Sequence, residues 1–268
     1  MRNRETPRRQ EPVVTERSGS VLTITINRPE QTNAINTAVR HDLVAALRDA
    51  RGDQRVRAVV LTSSGEDAFS TGLDVQELST ITPLEAETLA LRMRGVHEAI
   101  MALEVPTVAA IKGACVGAGL ELALHCDLRC VRADARFSFP GINIGVVSGG
   151  ASVQRLSQII GYGPAQSLML TGSIINAERA FLCGLVTNVI TMESFADGIR
   201  ELANYLSNLP PVAVRELKAL FREAPSRSAQ DMARAGSEAL RRCFAEGDAS
   251  VRLQALYGGG AGPGTTLH

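Results

Sequence analysis

Lysine is nearly missing from this chain: of its 28 basic residues only Lys112 and Lys218 are lysine. Arginine therefore supplies the positive charge, and its planar fork serves phosphate as well as surface solvation. Charge excess is missing too. Twenty-eight acidic residues balance the 28 basic ones, so no global basic field draws in nucleic acid and no acidic surplus opposes folding. An anionic ligand must be held by local groups. No run of about twenty apolar residues is present, and the basic start MRNRETPRRQ leads into no apolar segment. The reading is therefore a cytoplasmic protein with no signal peptide and no membrane partner. Paired cysteine spacing is also lacking. The five cysteines, Cys115, Cys126, Cys130, Cys183 and Cys243, are odd in number and lie mostly in apolar stretches, as reduced core residues do. Cys126 and Cys130 would face each other on a shared helix, with His125 adjacent. Four histidines in all and no second Cys/His cluster leave such a site short of ligands, and no metal is expected.

What is present is a chain of 268 residues, 45% hydrophobic and 21% charged, enough for one large core or one domain with a small appendage. Residues 1–12 are polar and charged and the tail GGGAGPGTTLH is glycine-rich, so both ends are expected to be poorly ordered around a folded 13–256. The alternation of Val21 to Ile26 predicts a strand. Asn36 is placed to cap a helix whose apolar positions are Val39, Leu43 and Leu47. Val56 to Thr62 reads as a buried strand, and Thr82-Pro83-Leu84-Glu85 is a capping box opening a helix to about Leu103. Thr107 to Lys112 predicts a strand, Gly113 to Gly119 a glycine-rich turn, Leu120 to Cys126 a helix and Leu128 to Val131 a further strand. From Ser152 the pattern is mostly helical, with Pro164 starting one helix, Asn176 capping another and Gly184 stopping it before a strand from Leu185 to Ile190. Pro210 and Pro211 mark the start of a C-terminal helical part.

Two passages carry chemistry. In Phe69-Ser-Thr-Gly-Leu-Asp-Val75, Gly72 lets the backbone bend so that the N–H of Leu73 points outward. In Gly113-Ala-Cys-Val-Gly-Ala-Gly-Leu-Glu-Leu-Ala-Leu-His-Cys-Asp127, small residues let a ligand approach the first free N–H groups of a helix, which favour a developing anion. With Asn33-Ala-Ile-Asn36, these blocks resemble those of the crotonase (enoyl-CoA hydratase/isomerase) family, in the same order and spacing, over residues 13–256. Two family blocks have the forms Phe-x-Ala-Gly-x-Asp and Gly-x-x-x-Gly-Gly-Gly-x-Glu-Leu-Ala. This chain has Thr71 where alanine is common and Ala118 where the middle glycine of the triplet is common.

The resemblance implies an α/β fold: a crotonase-like (ClpP/crotonase) spiral of β-β-α turns over 13–208, then a helical trimerisation region over 209–256, with 257–268 as a tail. It implies a homotrimer or a hexamer built as a dimer of trimers. It also implies an acyl-CoA substrate, with coenzyme A entering only as part of that substrate and no permanent cofactor. The thioester carbonyl would lie between the N–H groups of Leu73 and Ala118. CoA would run bent along the 27–36 and 70–76 loops, past Arg28, Ala34, Thr71, Gly72, Asp74, Val75, Gln76 and Gly117. Arg28 reads equally as a phosphate contact or a solvated arginine, and Asp74 reads better as the cap of the following turn than as a substrate contact.

Glu121 stands where the family's hydratases carry one of two catalytic glutamates, and it is equally placed to compensate the helix dipole. The second glutamate is missing. Hydratases of the family carry it in Phe-x-x-Pro-Glu-x-x-x-Gly, which here reads Phe137-Ser-Phe-Pro-Gly141-Ile-Asn-Ile-Gly145. Asn143 and Ser148, the nearest replacements, are not acidic, and Ser148 reads as a helix N-cap before Gly149. One carboxylate suffices to move a proton between two carbons, whereas hydration divides its work between two. The expectation is an enoyl-CoA hydratase (lyase) or isomerase type of enzyme with weakened hydration. An acyl-CoA binding protein with little turnover is the alternative, and thioester hydrolysis or decarboxylation is the remote one.

Overall fold

The structure, a computed structural model, describes residues 11–246 and 248–257. Most of the expected arm and all but Tyr257 of the tail from 257 lie outside the described residues. Glu11 and Pro12, read as part of the arm, are tied in: their carbonyls accept from the Asn27 side chain and backbone N–H at 3.1 and 2.8 Å.

Strand β1 (Val13–Ser18) turns at Gly19 and pairs antiparallel with β2 (Val21–Ile26). Only Val13 of β1 is buried, so it is an edge strand with no alternation to betray it. Asn36 caps α1 (Thr37–Gly52) by accepting from Val39 N at 3.0 Å, and Val39, Leu43 and Leu47 are buried as the spacing predicts. Next come β3 (Ala58–Ser63), β4 (Ala68–Ser70), the short α2 (Val75–Leu78) and α3 (Pro83–Met101), the last opened by the Thr82–Glu85 capping box. The next turn is β5 (Thr107–Ile111), β6 (Ala114–Val116) and α4 (Ala118–His125). Here the expectation of a continuous turn from Gly113 to Gly119 is corrected. Ala114–Val116 pairs in parallel with neighbours on both sides, a run too short to show a period. The helix after it also starts earlier than predicted, at Ala118.

Then follow β7 (Leu128–Arg132), β8 (Arg136–Ser138), α5 (Gly150–Ile160), α6 (Tyr162–Thr171), β9 (Ile175–Asn176), α7 (Ala177–Leu182) and β10 (Asn188–Ile190). Four helices finish the described chain: α8 (Phe195–Ser207), α9 (Pro211–Glu223), α10 (Ala229–Ala245) and α11 (Asp248–Tyr257). The α6 helix begins at Tyr162, two residues before Pro164, and β10 is only the last part of the strand expected from Leu185.

Two sheets result. One has the order β1-β2-β3-β5-β7-β10 and is parallel apart from β1; the other has the order β4-β6-β8-β9. Each turn of the chain gives one strand to each sheet (β3 and β4, β5 and β6, β7 and β8), which is a spiral of strand–strand–helix turns. On one face of the long sheet, α1, α3 and α4 pack over Ile24, Val59, Leu61, Ala109 and Ile111; on the other, α8 buries Ile199 and Ala203 against Val60, Val108 and Cys130. Burial on both faces explains why the inner strands read as continuous apolar runs. Asp127 is structural, as read: it accepts from Thr107 and pairs with Lys218 of α9. Cys126 ends α4 while Cys130 lies in β7, so the two do not share a helix. No helix among the described residues is long and apolar enough to cross a membrane.

Candidate active site

The site is built where the loops after β2, β4 and β6 converge. Asn33 organises it. It is fully buried in the left-handed region at φ +56°, a conformation asparagine tolerates better than most side chains. Its carboxamide donates to Ser64 O and Ala68 O at 2.8 and 2.9 Å and accepts from Arg28 N at 2.9 Å. A buried polar group left without a partner costs about 1–3 kcal/mol, so this one side chain pins the 27–36 loop to the ends of β3 and β4. Arg28 completes the clamp. Its guanidinium holds Ala34 O at 2.6 Å and the Asp74 carboxylate at 2.9 Å, which joins the two loops expected to cradle CoA. Asp74 also caps α2 by accepting from Gln76 N at 3.1 Å, as the sequence reading favoured. Thr71 meets Thr32 hydroxyl to hydroxyl at 2.9 Å, and Val75 and Gln76 are exposed on the first turn of α2.

Leu73 forms an isolated parallel bridge with Ile35, made by Ile35 N to Gly72 O (2.7 Å) and Asp74 N to Ile35 O (3.2 Å). In such a bridge the N–H of Leu73 itself points away from Ile35. Gly72 is required here. Its φ is +98°, and a Cβ would come within 3.1 Å of Val116 O and 3.3 Å of Ala118 N. Ala118 is the first residue of α4, and its N–H is one of those a helix leaves without an internal acceptor. Among the described residues neither N–H has a backbone acceptor. These two main-chain donors thus lie on neighbouring segments, Gly72 standing against Ala118.

Glu121 follows within the same first turn, its N–H bonded to Gly117 O, and is 6% exposed. Burial raises its pKa above the ordinary carboxylate value, against the lowering effect of the Ser148 hydroxyl, Ser152 and the Gly149 N–H. Ser152 Oγ lies near the carboxylate but makes no well-formed hydrogen bond. The expectation that Ser148 caps the next helix is corrected: the cap position is Gly149, with no side-chain bond. Beside them stands His97 of α3, with Nε2 3.8 Å from a Glu121 oxygen. This is not an ion pair, because burial takes the His97 pKa down to about 3. Sequence reasoning missed His97, although a histidine in the buried stripe of Leu89, Met93, Val96 and Ile100 was a usable signal.

Gly141 lies in a single 3-10 turn, Pro140–Ile144, closed by Val146 N to Gly141 O at 2.8 Å. A Cβ at 141 would stand 2.6 Å from Val146 O, so the loop has been reshaped around glycine and is not a hydratase loop with one side chain removed. Gly141, Phe139, Val146, Ser148, Val153 and Met169 line an apolar cavity of about 140 Å³. A larger one of about 300 Å³, between α1, the start of β5 and the α8–α9 junction, contains none of the expected site residues.

Comparison with known proteins places the chain in a family. The chain matches the family model described as Enoyl-CoA hydratase/isomerase over residues 16–255. It is 34% identical over 248 residues to the short-chain-enoyl-CoA hydratase of Clostridium acetobutylicum, covering 91% of this chain and 94% of that one. It is 30% identical to the crotonyl-CoA hydratase of Syntrophomonas wolfei, covering 92% and 95%. Among solved structures, enoyl-CoA hydratase from Bacillus anthracis superposes with a TM-score of 0.89 at 27% identity, over 92% of this chain and 96% of that chain. Fold and similarity converge, and the chain belongs to the enoyl-CoA hydratase/isomerase family of the crotonase superfamily.

Proposed function

We propose that the protein acts on an enoyl-CoA thioester through an enolate, with the N–H groups of Leu73 and Ala118 as an oxyanion hole and Glu121 as the acid–base group. The observation that carries this reading is a helix whose first N–H, that of Ala118, has no backbone acceptor, with the buried carboxylate of Glu121 one turn on. As a proton leaves the carbon beside the thioester, charge moves onto the carbonyl oxygen, and preorganised donors stabilise that anion more than the neutral carbonyl. Glu121 takes the proton, and its raised pKa brings it closer to the operating pH of a general base. The same carboxylic acid then returns the proton to a second carbon, which shifts the double bond. Water addition lacks its usual second carboxylate, so isomerisation of a 3-enoyl-CoA outruns hydration of crotonyl-CoA. Assay of the purified protein with both thioesters tests this. Turnover of the 3-enoyl-CoA is expected, and tight acyl-CoA binding without turnover across a panel of chain lengths would support the binding-only alternative that Gly141 motivates.

Restoring the carboxylate by Gly141→Glu is not expected to restore fast hydration. The new Cβ meets the Val146 carbonyl, so the turn must open at a cost of about 1–3 kcal/mol, read as a lower melting temperature. A tenfold gain in hydration with an unchanged melting temperature would contradict the steric account. Exposed Leu217 and Phe221 on α9 with Leu240 and Phe244 on α10 support the reading of 209–256 as the oligomerisation region of a homotrimer or hexamer, in a cytoplasmic protein.

A further inference from the structure

Two histidines stand behind Glu121, and neither belongs to the acid–base scheme above. The rings of His97 and His125 are stacked at 4.1 Å with their planes 5° apart. His125 lies one turn after Glu121 on α4, and its Nδ1 is 2.7 Å from the Glu121 carbonyl. A carbonyl only accepts, so Nδ1 of His125 carries a proton. His97 comes from α3 and is 3% exposed, and its Nε2 is fully buried with no hydrogen-bond partner. The nearest group it could serve is the Glu121 carboxylate, at 3.8 Å. A core that needed only volume at this place would be filled by leucine or phenylalanine, with no buried nitrogen to satisfy.

We propose that His97 is a positioning residue whose Nε2–H is donated to the Glu121 carboxylate, holding one oxygen back so that the other faces the substrate. The inference rests on Glu121 being the acid–base group. Closing from 3.8 Å to hydrogen-bond length needs less than about 1 Å of movement, and catalytic hydrogen bonds are often long before substrate binds. The surroundings keep the imidazole neutral and therefore a donor that cannot neutralise the glutamate. Burial does most of this and its stacking partner His125 adds to it; His125 is itself held neutral by burial, with Arg155 of α5 and Arg129 of β7 opposing a charge on it. The remaining groups facing the carboxylate are Ser148, the Gly149 N–H and Ser152. His97, from α3, would give Glu121 a donor from an element other than that loop.

The test compares wild type, His97→Gln and His97→Leu, with the Glu121 side-chain carboxyl carbon followed by ¹³C NMR against pH and its resonance assigned by Glu121→Gln. This readout needs no turnover, so it stays valid if Glu121 proves not to be the acid–base group. A donor to a carboxylate favours its charged form. His97→Leu should therefore raise the Glu121 midpoint, by about one unit, and His97→Gln, which keeps an N–H, should bring it back toward wild type. The acid limb of kcat/KM should move in parallel. An unchanged midpoint in a folded His97→Leu protein, or a glutamine variant that behaves like leucine, overturns the proposal. Should the leucine variant fail to fold, ¹⁵N NMR of the wild-type imidazole decides: an Nε2–H tautomer is expected, and a proton on Nδ1 with bare Nε2 contradicts it.

Discussion

Glu121→Gln is expected to slow double-bond migration in a 3-enoyl-CoA by about 10²–10⁴-fold while leaving acyl-CoA affinity within a few fold. Glutamine keeps the shape of the side chain but cannot accept a proton from carbon. The wild-type enzyme also has a defined pH signature. Because Glu121 is raised by burial, kcat/KM should fall with decreasing pH around a midpoint above the ordinary glutamate value, and the variant's residual rate should lack that limb. The stability sign is opposite to the activity sign. Between the unfolded and folded pKa of Glu121 the folded state binds more protons, so its stability falls as pH rises through that window. Removing the charge should leave the variant as stable as wild type at neutral pH, or more so. A variant inactive because it is misfolded would show the reverse, a lower melting temperature.

Ala118→Pro should cost about 10²–10³-fold in turnover. Ala118 is the first residue of α4, the helical position where proline is best tolerated because its missing N–H has no helical acceptor. The substitution deletes one of the two donors and leaves Glu121 three residues on. Ala118→Gly separates loss of the donor from other effects of change at this position: it keeps the N–H and should retain activity within a few fold. Comparable losses in both variants would show that side-chain packing at 118, and not the main-chain donor, matters there.

Local signals in the sequence located the helices well, and long-range geometry was what escaped it. Asn36, Thr82 with Glu85, and Asn176 each cap a helix as read, because a cap is a bond between residues three apart. The second sheet was largely illegible. Its strands β4, β6, β8 and β9 have three, three, three and two residues, too few to show a period, and they exist because each is paired to a neighbour far away in the chain. The backbone at Gly72–Leu73 and Gly117–Ala118 could be anticipated because small residues mark close approach. The setting of Glu121 could not. His97 comes within 3.8 Å of it from α3, far away in the chain, and Ser148 reads as a cap although the cap position falls on Gly149. Gly141 was legible as a missing carboxylate, whereas the contact with Val146 that makes glycine necessary appears only in three dimensions.

In the proposed mechanism one buried carboxylate beside two main-chain donors moves protons on a CoA thioester. Proton NMR of a 3-enoyl-CoA in ²H₂O with wild type and Glu121→Gln measures this most directly. Conversion to the 2-enoyl thioester, faster than hydration and lost in the variant, is the result the account predicts; conversion at the same rate in both proteins, or hydration of crotonyl-CoA as the faster reaction, would contradict it.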